Sequence, residues 1–173
     1  MKKLLFPFLL FTAIAAGAQP STPVTGTASS VATVVAPAIE GRTVDGKPLA
    51  LSTLKGKVVL VMFWSTECAA CRDKMPELRQ NHEGWAGKPF ELVLASHDKR
   101  MNDPDDYEKI ISSTVPLKQR FVQLWVGESR YKDNIGRPAQ LPSALLIDKN
   151  GKVIDRFTGR MPADAWDKVA GLI

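Results

Sequence analysis

The chain has 173 residues, 45% of them hydrophobic and 24% charged, with a formal net charge of +5. That length and balance suit one ordinary globular domain and exclude a disordered or fibrous chain. The basic residues are scattered rather than clustered, which excludes a nucleic-acid-binding stripe.

Lys2 and Lys3 precede an apolar run from Leu4 to Ile14, broken only by Pro7 and Thr12, and the small residues Ala16, Gly17 and Ala18 follow. This is the order of a secretory signal peptide, with cleavage expected after Ala18. A retained anchor is the rival, but a spanning helix needs ~20 predominantly apolar residues and this run is shorter. Residues 19–37 carry no charge and no aromatic side chain and read as a flexible linker. The folded domain is expected over residues 38–173, in the periplasm or an equivalent compartment outside the cytoplasm.

Within it, Arg42-Thr43-Val44 and Leu49-Ala50-Leu51 flank Asp45-Gly46-Lys47, a predicted hairpin. Val58 to Trp64 is a continuous apolar run, the mark of a strand buried on both faces, and Phe90 to Ala95, interrupted by Glu91, is read as another. Between them Cys71, Met75, Leu78 and His82 recur at helical spacing. Asp103-Pro104 reads as a helix cap with proline at the first helical position, ahead of an apolar stripe of Tyr107, Ile110 and Ile111. Phe121 to Val126 is a further strand candidate. Ser143–Asp148 and Lys152–Phe157 surround the hairpin signal Asn150-Gly151. Trp166, Val169, Ala170 and Ile173 mark the inner face of a terminal helix. Strands alternating with helices, then a hairpin and a helix, predict an α/β sandwich around a mixed sheet.

The two cysteines, Cys68 and Cys71, lie three positions apart where a buried strand gives way to a helix. A disulfide closing so short a loop stabilises by only about 2 kcal/mol in the chain-entropy model, so chemistry explains the pair better than stapling does. The helix start favours a thiolate on Cys68, and one turn brings Cys71 close enough to attack it. Cys68 is therefore the expected nucleophile and Cys71 the resolving thiol, with no cofactor beyond their redox-active disulfide.

The order Gly56-Lys57-Val58-Val59-Leu60-Val61, Phe63-Trp64, Cys-x-x-Cys, Met75-Pro76-Glu77-Leu78, Leu141-Pro142 and Leu145 to Val153 resembles the TlpA/ResA-type branch of the thioredoxin superfamily. The resemblance implies a thioredoxin-like three-layer sandwich with a mixed central sheet and an N-terminal β-hairpin extension. It further implies a cis bond before Pro142, which faces the cysteines, with Leu141 and Pro142 binding substrate and Trp64 flanking the site. Protein disulfides as substrates, reduction as the direction, cytochrome c precursors as a typical task and a membrane dithiol as electron donor are implied as well.

Three positions depart from that family. Glu67 stands where Trp is usual before the first cysteine, Ala70 where Pro precedes the second, and Lys74 where a Glu often tunes the thiols. An ammonium about 7 Å from a thiolate, at an effective dielectric of about 40, stabilises it by roughly 1.2 kcal/mol. Lys74 is thus expected to favour the Cys68 thiolate, and Glu67 to oppose it with stronger screening.

Rival readings use the same thiols. Structural zinc would need His82 and His97, whose spacings match no compact site. A copper carrier suits soft thiolates, with His97 at the same sheet edge. A peroxiredoxin-type peroxidase has Ser65 in place, three before Cys68, but Val61 where its pattern has proline. No metal site is expected.

Overall fold

The computed structural model describes residues 36–116 and 119–173. The expected signal peptide, and the expected linker up to its last two residues, lie outside the described residues.

Three short strands make a small antiparallel sheet, in the order β2-β1-β6. β1 (Ile39–Arg42) pairs with β2 (Pro48–Ala50) through Gly41↔Leu49, so the predicted hairpin is present with its strands slightly shifted. β6 (Lys132–Asp133) lines the other side of β1. It is too short to leave a periodic signal, and the sequence reading passed over it. A 3-10 turn, Leu51–Leu54, leads from β2 into the main sheet.

That sheet has five strands in the order β5-β4-β3-β7-β8. β3 (Val58–Trp64) is central and buried at all seven positions, as its unbroken apolar sequence requires. It runs parallel to β4 (Phe90–Ser96) and antiparallel to β7 (Ser143–Ile147). β5 (Val122–Trp125) extends the parallel side and β8 (Val153–Thr158) the antiparallel side. The β7–β8 turn uses Gly151 at φ +85°, where a side chain would be strained, and its N–H closes on Asp148 O at 2.9 Å.

Alternation along β3 sorts two cores. Val58, Leu60, Met62 and Trp64 pack with Cys71, Met75 and Leu78 of α1 (Ala69–Gly84) and with Ala165 and Val169 of α3 (Ala165–Leu172). Val59, Val61 and Phe63 face Ile39 of β1 and Leu51 of the 3-10 turn. Helices, mixed sheet and the hairpin-bearing small sheet form the three layers of a thioredoxin-like fold.

α2 (Asn102–Ser112) starts ahead of the expected cap. Asp103 lies inside it and reaches back to accept from the Arg100 N–H at 3.3 Å. Tyr107 packs on the core, but Ile110 is 76% exposed and does not belong to the inner stripe. Ala170 is likewise exposed on α3, where Ala165 takes the buried position instead. In both helices the local spacing was right, but the rotation about the axis is set by packing that the spacing alone does not reveal.

Candidate active site

β3 ends at Trp64, and Ser65-Thr66-Glu67 carry the chain to Cys68, the N-cap of α1. Helical spacing then places Cys71 one turn on. The two sulfurs are joined, with an S–S distance of 2.07 Å and Cα atoms 5.2 Å apart. Cys68 is partly exposed, whereas Cys71 is wholly buried in the helix-facing core. The Cys71 N–H points at Cys68 Sγ from 3.1 Å, and the Arg72 N–H donates to Cys68 O at 3.1 Å. The Cys71 N–H aimed at the sulfur and the positive end of the helix favour negative charge on Cys68.

The Leu141-Pro142 bond is cis. Pro142 is buried, and its carbonyl accepts from the Gly159 N–H at 2.8 Å. Because Ser143 pairs with Phe63, the Leu141-Pro142 turn lies at the same end of the sheet as the cysteine loop. Leu141 is half-buried and packs against both cores.

Trp64 is buried completely, with its ring edge-on to Tyr107 at 5.4 Å, so it packs beneath the site rather than lining its surface. Glu67 is exposed on the loop. Lys74 is buried, and its Nζ donates to Glu77 (2.7 Å) and to Met161 O (3.0 Å). Glu77 also accepts from the Trp166 indole N–H. Burial pushes the Glu77 carboxyl up, but the bonds from Lys74 and Trp166 outweigh it and hold the group below its ordinary value.

His97 follows β4, and its N–H donates to Trp64 O at 2.8 Å. Its ring packs on Phe63 at 5.7 Å. Burial, then Arg137, pulls its pKa down against Asp133 and Asp98. His82 lies against Phe121, and burial lowers it too, against Glu91. Among the described residues, no group of three or more His, Cys, Asp or Glu side chains could hold a metal ion.

The sequence reading missed Asp98, Thr66 and Arg72. Asp98 is buried and accepts from both the N–H and the hydroxyl of Thr66, each at 2.8 Å, while the Arg72 guanidinium donates to Thr66 O. The signal was present in Ser96-His97-Asp98, a polar trio that ends a largely apolar strand.

A model of the AhpC/TSA family matches residues 33–164, most of the chain, including both cysteines and the Leu141-Pro142 turn. The chain belongs to the AhpC/TSA family. A Bacillus cereus protein named thiol-disulfide oxidoreductase ResA is 31% identical over 117 residues, covering 66% of this chain and 62% of that relative. The Bacillus subtilis protein of the same name is 26% identical over 117 residues, covering 68% and 62%. The match therefore spans under two thirds of the length of these relatives. Among solved structures, a thiol:disulfide interchange protein of the thioredoxin family from Chlorobium tepidum superposes with a TM-score of 0.63 at 25% identity. It covers 79% of this chain and 94% of that one. A second Chlorobium tepidum structure, a thiol:disulfide interchange protein DsbE, gives 0.59 at 27% identity and covers 78% and 92%.

Proposed function

We propose that this chain is an exported thiol–disulfide oxidoreductase that reduces disulfides in protein substrates. The observation that carries the reading is the Cys68–Cys71 disulfide at the start of α1, with one sulfur reachable and the other buried. The names of its relatives, thiol-disulfide oxidoreductase and thiol:disulfide interchange protein, support the chemistry, and the signal-peptide pattern of residues 1–18 supports export.

In the reducing direction, the Cys68 thiolate attacks one sulfur of a substrate disulfide. A mixed disulfide forms, and the displaced substrate thiolate takes up a proton. Cys71 loses its proton and attacks Cys68 Sγ, which releases the second substrate thiol and restores the Cys68–Cys71 bond. Two electrons pass from the pair to the substrate, and an external dithiol, membrane-bound in this proposal, must return them. Leu141 and Pro142, at the same sheet end, supply the surface on which an extended substrate segment docks.

Cys71→Ser should accumulate mixed disulfides with partners in the exporting cell, and Cys68→Ser far fewer. The reverse pattern would overturn the assignment of roles. The direction is read from the glutathione equilibrium of the pair. A value near about −270 mV fits a reductant, and one near about −120 mV would make the chain an oxidant.

A further inference from the structure

We propose that Asp98 is a positioning residue that holds the Cys68 loop in its reactive place once the disulfide opens. The inference rests on Cys68 being the attacking thiol.

Asp98 is 7% exposed and lies just past the end of β4. Its Oδ1 accepts from the Thr66 N–H and from the Thr66 hydroxyl, both at 2.8 Å. Its Oδ2 accepts from the Ser96 hydroxyl at 2.6 Å. Its own N–H returns to Ser96 Oγ at 3.1 Å, and its carbonyl accepts from the Trp125 indole N–H at 2.8 Å. One buried residue thus ties three elements together, its carboxylate joining the end of β4 to the β3–α1 loop and its carbonyl reaching β5.

The tie falls two residues before the nucleophile. All three polar groups of Thr66 are engaged, its N–H and hydroxyl by Asp98 and its carbonyl by Arg72. Asp98 holds the loop from the sheet side, and Arg72 holds it from the helix. Ser65, next to Thr66, accepts from the Cys68 N–H at 3.2 Å.

In the oxidised protein the sulfur–sulfur bond also anchors Cys68 to α1. Reduction removes that anchor, and placement of Cys68 Sγ over the Cys71 N–H then depends on the loop together with the helix N–H bonds to Cys68 O. The clamp therefore matters more to the dithiol than to the disulfide. A buried carboxylate left without donors is costly, so the sheet side of the clamp does not let go readily.

The test uses the purified protein and Asp98→Ala, Asp98→Asn and Thr66→Val. Three quantities are read: the rate of Cys68 alkylation by iodoacetamide at neutral pH, located by peptide mass; the glutathione equilibrium; and the unfolding midpoint of the oxidised form. Asp98→Ala should slow alkylation about tenfold, the scale of one lost bond to a charged group. It should move the equilibrium toward the disulfide by a similar factor, about 30 mV. Thr66→Val, which loses only the hydroxyl donor, should move both the same way by less. Asp98→Asn keeps an oxygen for Thr66 and should stay near wild type.

Wild-type rate and equilibrium in Asp98→Ala would reduce Asp98 to a fold-holding residue and overturn the proposal. An Asn variant as impaired as Ala would overturn it too, by assigning the effect to charge. If Asp98→Ala does not fold, Thr66→Val decides, and values superimposable on wild type reject the clamp. First labelling at Cys71 would instead sink the nucleophile assignment, and the clamp would then be judged on the glutathione equilibrium alone.

Discussion

Lys74 brings a positive charge one helical turn beyond Cys71, but it does not bring it alone. Its side chain is 10% exposed, and Glu77 at 40% exposed meets it at 2.7 Å. The ion pair presents the thiols with a dipole, whose field falls below that of an isolated ammonium. Glu77→Gln should unmask the ammonium and speed Cys68 alkylation, by about fivefold at most, the equivalent of about 1 kcal/mol. Lys74→Met should leave the carboxylate and slow it. Unchanged rates in both variants would make the pair a packing device only.

The same pair carries a pH signature. The Glu77 carboxyl is held below its ordinary 4.5 in the folded state, so its stabilisation is complete above that pH. It is lost as pH falls from there through the lowered folded value. Because Glu77 is well exposed, its share is about 1 kcal/mol or less. The stability gap between wild type and Glu77→Gln, measured by urea unfolding, should close in acid. At this scale the cysteines were legible because their chemistry is local, whereas the Lys74–Glu77 pair went unread although both lie on one helix. Nor were the Met161 and Trp166 partners legible, since they arrive from the far end of the chain.

Among the elements, β3 and β4 were readable because strands buried on both faces are apolar almost throughout, Glu91 being the one charge in them, and only the last residue of β4 was left out. Leu60 is fully buried in the middle of β3, so Leu60→Ala should cost about 2–5 kcal/mol in unfolding free energy. Ile110→Ala, on the exposed side of α2, should stay within about 0.5 kcal/mol. The sequence marked both as inward-facing, Leu60 by an unbroken apolar run and Ile110 by helical spacing, and only burial separates them. The Asp98–Thr66 clamp was hidden for a related reason. A lone carboxylate after a strand has no period, and its partner lies 32 residues away in sequence.

Taken whole, the domain should lose stability in mild acid. His82 and His97 both have folded pKa values below the ordinary 6.5, chiefly through burial. Above that pH both states are neutral, and the two rings contribute no pH dependence. As pH falls below 6.5 the unfolded chain takes up protons first, so stability declines until the folded pKa values are passed. Replacing both histidines by leucine should flatten urea-unfolding midpoints across this window. A second whole-chain expectation concerns export. The mature protein recovered from the exporting cell should begin at Gln19, read by N-terminal sequencing. A mass that retains residues 1–18 would favour the anchored form. Among the described residues, no helix is long and apolar enough to cross a membrane.

The first hairpin also reaches across to the main sheet. Thr43 bridges Leu124, and the Val44 N–H donates to Gln123 O at 2.9 Å, both on the outer side of β5. A row of unpaired backbone groups there would invite a second chain to add itself as another strand. The hairpin occupies that row. At the opposite margin the β7–β8 register slips between Leu146 and Ile147, and such an irregularity twists an edge away from flat pairing. A protein whose proposed partners are other protein chains is thereby less open to adding them, or a second copy of itself, along its sheet.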